Sequence, residues 1–154
     1  MTDTEDFGLR PATENDSDFA FSCMKSAFGG YVAQTYGWDE DEQLKLHQRR
    51  FRPSDTKIVL RYGIEIGLLA VDDHEDHIHV RQVFLLPEAQ GLGIGSMPVK
   101  EILEDADRRG LPVKLRVLKV NPRALRFYER LGFHALSETE THFQMEYERR
   151  AIDA

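Results

Sequence analysis

Two segments of the chain combine residue types and spacings that could do chemistry. The first is Gln90-Gly91-Leu92-Gly93-Ile94-Gly95-Ser96, which follows the apolar run Val83 to Leu86 and precedes a helical pattern. A strand, a glycine-rich turn and a helix start together present a row of bare backbone N–H groups to a phosphate. Glycines let the backbone approach the ligand closely and take positive φ where the turn requires it. The helix dipole adds about half a positive charge at that end. The expected chemistry is the holding of a phosphate-bearing cofactor. The spacing does not fit the dinucleotide fingerprint: counted from Gly91 the third glycine arrives early, and counted from Gly93 it is missing. No Gly-Lys-Ser of the Walker type follows. The second segment, Asn121-Pro122-Arg123-Ala124-Leu125-Arg126-Phe127-Tyr128-Glu129-Arg130-Leu131-Gly132-Phe133, lies one helix and one strand downstream.

The elements that must position these segments follow from periodicity and punctuation. Phe7 to Ala12 predicts a short strand, and Asn15 to Phe28 a helix that Gly29-Gly30 ends. A second, partly exposed helix is expected from near Trp38, with Asp39 and Glu42 spaced as in a capping box. Lys57 to Tyr62 and Glu65 to Val71 predict strands around a tight turn, and Ile78 to Leu86 a third that feeds the glycine loop. From about Gly95 to Arg109, Val99, Ile102, Leu103 and Ala106 fall at i, i+3, i+4, i+7. Gly110 and Pro112 follow as stop signals. Val113 to Val120 reads as a largely buried strand. Asn121 caps the next helix with Pro122 at its first position, and Gly132 stops it. Phe133 to Leu136 and His142 to Tyr147 close the chain as a strand pair. The strand–helix–strand unit around the loop implies one parallel pair; the remaining strands should be antiparallel.

Size and composition exclude several classes. At 154 residues the expectation is a single domain spanning 1–154, with the polar Met1 to Asp6 as a frayed tail and not a signal peptide. Hydrophobic content of 41% and charged content of 31% suit an ordinary globular protein. No apolar stretch approaches the ~20 residues of a membrane span, so no membrane partner is expected. The single cysteine, Cys23, excludes an internal disulfide and a cysteine-based zinc site. It suits a reducing, cytoplasmic compartment. A net charge of -7 argues against nucleic acid as a partner and favours a cationic substrate such as an amine. The run Asp72-Asp73-His74-Glu75-Asp76 holds ligand-capable side chains. Turns favour Asp and nothing imposes ligand geometry, so it reads as a solvated hairpin tip and no metal is expected.

Taken together, the two segments resemble the GNAT superfamily of acyl-CoA-dependent N-acyltransferases. Gln90, Gly93 and Gly95 match the family's cofactor loop. Asn121, Ala124, Phe127, Tyr128, Glu129, Gly132 and Phe133 match its second motif without a gap, and the element order is the family's over nearly the whole chain. The resemblance implies an α/β fold of α+β type. Its sheet is mixed, mostly antiparallel, with about seven strands, a parallel pair that splays at the cofactor site, and about four helices.

It also implies roles. Gln90, Gly91, Leu92, Gly93, Ile94, Gly95 and Ser96 would cradle the pyrophosphate of coenzyme A, the co-substrate being acetyl-CoA. Val83, Phe84 and Leu85 would pair with its pantetheine arm, and the backbone N–H of Leu85 would serve the oxyanion. Asn121 would contact the cofactor arm as well as cap its helix. Tyr128 matches the general acid: a tyrosine near 10 can donate to a thiolate whose thiol has a pKa of about 8.5. The alternative for Tyr128 is a core aromatic. His79 falls near the position of a base in some relatives, behind a water relay, with Glu65 and Glu129 as fallback carboxylates. Tyr31, Tyr36 and Trp38 fall in the substrate-facing region, where aromatics among carboxylates suit a cationic amine. Trp38 plugging the core edge is an equal reading. The function implied is acetyl transfer to a primary amine of a small molecule by direct attack. The alternatives are a protein N-terminus or lysine as acceptor, and a non-catalytic CoA-binding sensor or partner. Homodimers are common among such proteins; no residue of this sequence decides the matter.

Overall fold

The computed structural model describes residues 7–90 and 95–148. The expected tail Met1 to Asp6 and the loop residues Gly91, Leu92, Gly93 and Ile94 lie outside the described residues. The elements in chain order are β1 (Phe7–Pro11), α1 (Ser17–Tyr36), α2 (Glu40–Arg50), β2 (Thr56–Arg61), β3 (Ile64–Asp73), β4 (Ile78–Leu85), α3 (Met97–Arg109), β5 (Val113–Leu118), α4 (Pro122–Arg130), β6 (His134–Glu138) and β7 (His142–Tyr147). The seven strands form one sheet in the order β1-β2-β3-β4-β5-β7-β6. The pair β4–β5 is parallel, at Ile78↔Val113 and His79↔Lys114. The pairs β1–β2, β2–β3, β5–β7 and β6–β7 are antiparallel. The fold class expected from the sequence is the one observed.

Two compact units divide the chain: one runs to Ala70 and resumes over Gln82–Pro98, and the other comprises Val71–Arg81 and the residues from Val99 onward. The first unit builds apolar clusters from alternating strand positions. Ala20 and Cys23 of α1 pack with Ala12, Ile58 and Leu68, and Phe19, Phe51, Leu60, Phe84 and Leu86 lie against them. Val59, Ile66, Leu85 and Ala89 form a second cluster with Phe7, Leu9 and Met97. The start of α1 is held by charge: Arg10 donates to both carboxylate oxygens of Asp16, at 2.9 and 2.8 Å. The same carboxylate accepts the Thr13 backbone N–H at 2.8 Å.

In the second unit α3 buries Val99, Ile102, Leu103 and Ala106, the stripe its sequence predicts. Gly110 takes φ 68 and Leu111 N–H returns to the Ala106 carbonyl, which closes the helix end. On β5, Val113, Leu115 and Val117 are buried, and across from Leu115 lies the buried Met145 of β7.

Most boundaries lie within two residues of the sequence expectation, and the end of the first helix departs furthest from it. Gly29-Gly30 do not end the first helix, which continues to Tyr36 and stops at Gly37, φ 81. Glycine costs a helix only about 1 kcal/mol, and the continuation buries Val32. Gly29 lies against the Trp38 ring, which a Cβ there would meet at 3.4 Å, an ordinary contact distance. The predicted β2–β3 turn is a two-residue one, Tyr62 at φ 53 and Gly63 at φ 75, the twist that a hairpin favours.

Candidate active site

The first unit presents backbone. Its strand residues Gln82–Leu85 run through Leu86 into a turn at Pro87–Ala89 and then Gln90. Leu86 N–H donates to the Ile66 carbonyl at 2.8 Å. The Gln90 side chain donates from Nε2 to the Leu85 carbonyl at 3.0 Å, so this residue ties the loop's entry back to the strand. Past the undescribed loop residues, Gly95 and Ser96 lead directly into α3. Gly95 lies beside the end of the strand, where an added Cβ would sit 3.3 Å from Leu85 Cδ1. Backbone N–H groups at a helix start beside small residues are a donor set suited to a pyrophosphate.

The aromatic residues singled out from sequence divide into two kinds. Tyr31, half-buried on α1, belongs to a ladder with Phe28 and Phe84, at ring distances of 6.1 and 5.3 Å. That ladder joins α1 to the strand carrying Leu85. Tyr36 is the last residue of α1 and is 63% exposed. Trp38 is engaged structurally. Its indole N–H donates to Glu40 at 2.9 Å, Lys25 pairs with the same carboxylate at 2.8 Å, and the Lys25 ammonium lies 5.9 Å from the ring centre. The Lys25 hydrogen bond, then that of Trp38, lowers the Glu40 pKa.

The second unit presents side chains. Asn121 accepts the Ala124 N–H at 3.2 Å, with Pro122 following as the first helical residue, so its cap role is observed. Tyr128 lies between Phe127 and Phe133, at ring distances of 5.1 and 5.4 Å with edge-on geometry. Its backbone carbonyl accepts from Leu131 and Phe133 as the helix ends. The residue keeps some solvent exposure, yet its phenol is deep enough among protein atoms that desolvation pushes it up to about 12. His79 lies 3.5 Å from Asp72, and Asp72 also pairs with Arg81. Desolvation pushes Asp72 up, but the Arg81 hydrogen bond and charge together bring it below the usual range. Of the fallback carboxylates, Glu65 pairs with Arg10 at 3.1 Å and Glu129 is exposed on α4.

The sequence reading passed over Gly67. A lone glycine inside a strand pattern is the available signal, because it marks a bulge or a close backbone approach. Among the described residues no group of three or more His, Cys, Asp or Glu is placed to hold a metal, and no helix is long and apolar enough to cross a membrane.

The model of the acetyltransferase (GNAT) family matches residues 24–133, and the chain belongs to that family. The chain is 29% identical over 100 residues to the thialysine N-epsilon-acetyltransferase of Mus musculus, covering 64% of this chain and 58% of that protein. It is 37% identical over 109 residues to the mycothiol acetyltransferase of Thermomonospora curvata, covering 70% of this chain and 37% of that protein. It therefore spans about half the length of the curated relatives it matches. Among solved structures, the PaiA N-acetyltransferase of Thermoplasma acidophilum in complex with coenzyme A has a TM-score of 0.76 at 14% identity, covering 93% of this chain and 99% of that one. That likeness is one of fold.

Proposed function

We propose that this chain transfers the acetyl group of acetyl-CoA to a primary amine of a small molecule, by direct attack within a ternary complex. The observation that carries the reading is the family match over residues 24–133, which takes in both the glycine loop and the Tyr128 helix. A relative named for acetylating the ε-nitrogen of thialysine supports an amine acceptor, and the net charge of -7 supports a cationic one.

In this mechanism the loop from Gln90 to Ser96 and the first turn of α3 hold the pyrophosphate. The strand backbone of Val83, Phe84 and Leu85 pairs with the pantetheine arm, and Asn121 adds a contact to it. The acceptor reaches the site as an ammonium with a pKa of roughly 10 and must lose a proton. A water relay carries that proton to solvent, with His79, whose Nδ1 lies 3.5 Å from Asp72, in second place as the base. The amine lone pair then attacks the thioester carbonyl carbon. A C–N bond forms and the Leu85 N–H stabilises the oxyanion. As it collapses the C–S bond breaks with its electron pair on sulfur, the second proton of the attacking nitrogen leaves through the same relay to solvent, and solvent protonates the thiolate. The motif match assigns Tyr128 to the leaving sulfur. A phenol at about 12 yields its proton reluctantly to a thiolate near 8.5. Its main contribution is then a hydrogen bond that strengthens as charge develops.

The test is an acetylation assay over a panel of amines, read by release of free thiol, alongside thermal melting. Acetyl-CoA should raise the melting temperature while NAD does not. Thiol release should depend on a small cationic amine. No shift with any acyl-CoA would remove the cofactor assignment, and turnover restricted to peptide N-termini would replace the acceptor class.

A further inference from the structure

We propose that Gly67 is a positioning residue for this reaction: it sets the orientation of the Phe84–Leu85 peptide. The inference rests on the reading above, in which the Leu85 N–H serves the oxyanion.

The strand register shows how Gly67 comes to be there. Val59 pairs with Gly67, but Leu60 pairs with Glu65, so Ile66 is an extra residue in β3. This is a β-bulge. Its effect is visible in the packing. Ile66 joins the cluster of Val59, Leu85 and Ala89, whereas Leu68, two residues on, joins that of Ile58 and Cys23. In a regular strand residues two apart share a face. The bulge also turns the Ile66 carbonyl to the Leu86 N–H.

Gly67 then meets the Phe84 carbonyl oxygen head on. A Cβ at Gly67 would collide with that oxygen at a separation no side chain tolerates, and would lie 2.8 Å from Leu85 Cδ2 and 3.2 Å from Leu85 Cα. The Leu85 side chain can swing away. The Phe84 carbonyl can move only together with the Leu85 N–H, because the two are opposite ends of one planar peptide group. Displacing the oxygen re-aims the N–H. The surroundings allow little compensation: Leu86 is bonded to Ile66, the Leu85 carbonyl accepts from Gln90, and the Phe84 ring packs 5.3 Å from Phe28. Glycine at position 67 is thus the condition for the donor's present direction.

An oxyanion donor acts in the transition state, so its misdirection should lower kcat and leave ground-state binding almost untouched. Removing one such donor outright costs about 10²–10³ in kcat. Turning it should cost about tenfold to a hundredfold. The experiment compares kcat, KM for both substrates and the Kd for CoA in the wild type, Gly67→Ala and Gly8→Ala. Gly8 is the control strand glycine, since its Cβ would meet only Leu60 Cβ at 3.9 Å. The expected result is a lower kcat for Gly67→Ala alone, with Kd for CoA within about threefold of wild type.

If Gly67→Ala does not fold, the comparison moves to Leu85→Val against Gly67→Ala/Leu85→Val. The valine removes the side-chain part of the clash and leaves the carbonyl, and the same kcat ratio is expected. A Gly67→Ala enzyme with kcat within twofold of wild type, or a loss confined to Kd, would overturn the positioning role. A wild-type protein that neither binds CoA nor releases thiol with any amine overturns the proposed function itself, and this inference with it.

Discussion

The two units hold their motif residues by different physical means. In the first, the groups proposed to act are backbone: the Leu85 N–H, next to the Leu85 carbonyl that Gln90 ties, and Gly95 and Ser96 at the start of α3. Their directions depend on peptide planes and on where glycine allows close approach. In the second, the relevant groups are side chains: the Tyr128 phenol among Phe127 and Phe133, and the Asn121 amide at the start of α4. The helix starts differ likewise. An ion pair, Arg10–Asp16, fixes the entry to α1, and a neutral cap fixes the entry to α4. Side-chain chemistry can therefore be deleted by one conservative substitution, while backbone chemistry can only be re-aimed. The charged helix start should respond to pH and the neutral one should not.

The largest expected effect tests the side-chain half. Tyr128→Phe keeps the ring and its aromatic neighbours and removes only the hydroxyl. We expect turnover to fall by at least tenfold through loss of the hydrogen bond to the developing thiolate, with CoA affinity nearly unchanged by calorimetry. An unchanged rate would return Tyr128 to the role of a core aromatic. The pH profile sharpens the point. With the phenol pushed up to about 12, Tyr128 stays protonated across any practical assay range. The rate should rise with pH as the acceptor amine loses its proton, and no falling limb assignable to Tyr128 should appear below about pH 11.

A smaller effect, on stability alone, tests the charged helix start. The Arg10 guanidinium, against some opposing desolvation, lowers the Asp16 pKa to about 2 from its ordinary 3.8. The folded-state pKa is depressed, so the stabilisation is complete above the unfolded value. It is lost as pH falls from about 4 through about 2. Asp16→Asn should therefore cost about 2 kcal/mol near neutral pH. Its melting temperature should converge on that of the wild type as the pH approaches 2. A difference that persists undiminished in acid would mean that packing, and not charge, holds this end of α1.

How much of this was legible in the sequence follows the same division. The α3 stripe, the Gly110 stop and the Asn121-Pro122 start were readable because each is local, its cause lying within a turn or two of the chain. The start of α2 was readable for the same reason, with Asp39 accepting the Glu42 N–H at 3.0 Å. The continuation of α1 through Gly29-Gly30 was not, because it depends on Val32 being buried and on the Trp38 ring lying against Gly29. The Arg10–Asp16 pair joins a strand to a helix start, and no periodicity announces it. Gly67 gave only the weak signal of a glycine within an apolar strand. Its reason, the approach of the Phe84 carbonyl, belongs to a neighbouring strand. The family resemblance also pointed to His79 without revealing that Asp72 lies 3.5 Å from its ring.

The smallest effect separates the two roles given to Asn121. As a cap it accepts the Ala124 N–H, and Asn121→Ala should lose about 1 kcal/mol of stability. Aspartate caps a helix as well as asparagine does, so Asn121→Asp should melt at nearly the wild-type temperature. The proposed contact to the cofactor arm responds differently, because aspartate loses the amide's donor and adds a negative charge near an anionic co-substrate. Melting curves and acetyl-CoA titrations on the two variants therefore form a crossed test. If Asn121 both caps and binds, alanine lowers stability and affinity together, while aspartate lowers affinity alone by several-fold. Wild-type affinity in both variants would confine Asn121 to the cap and remove it from the cofactor contact proposed for it.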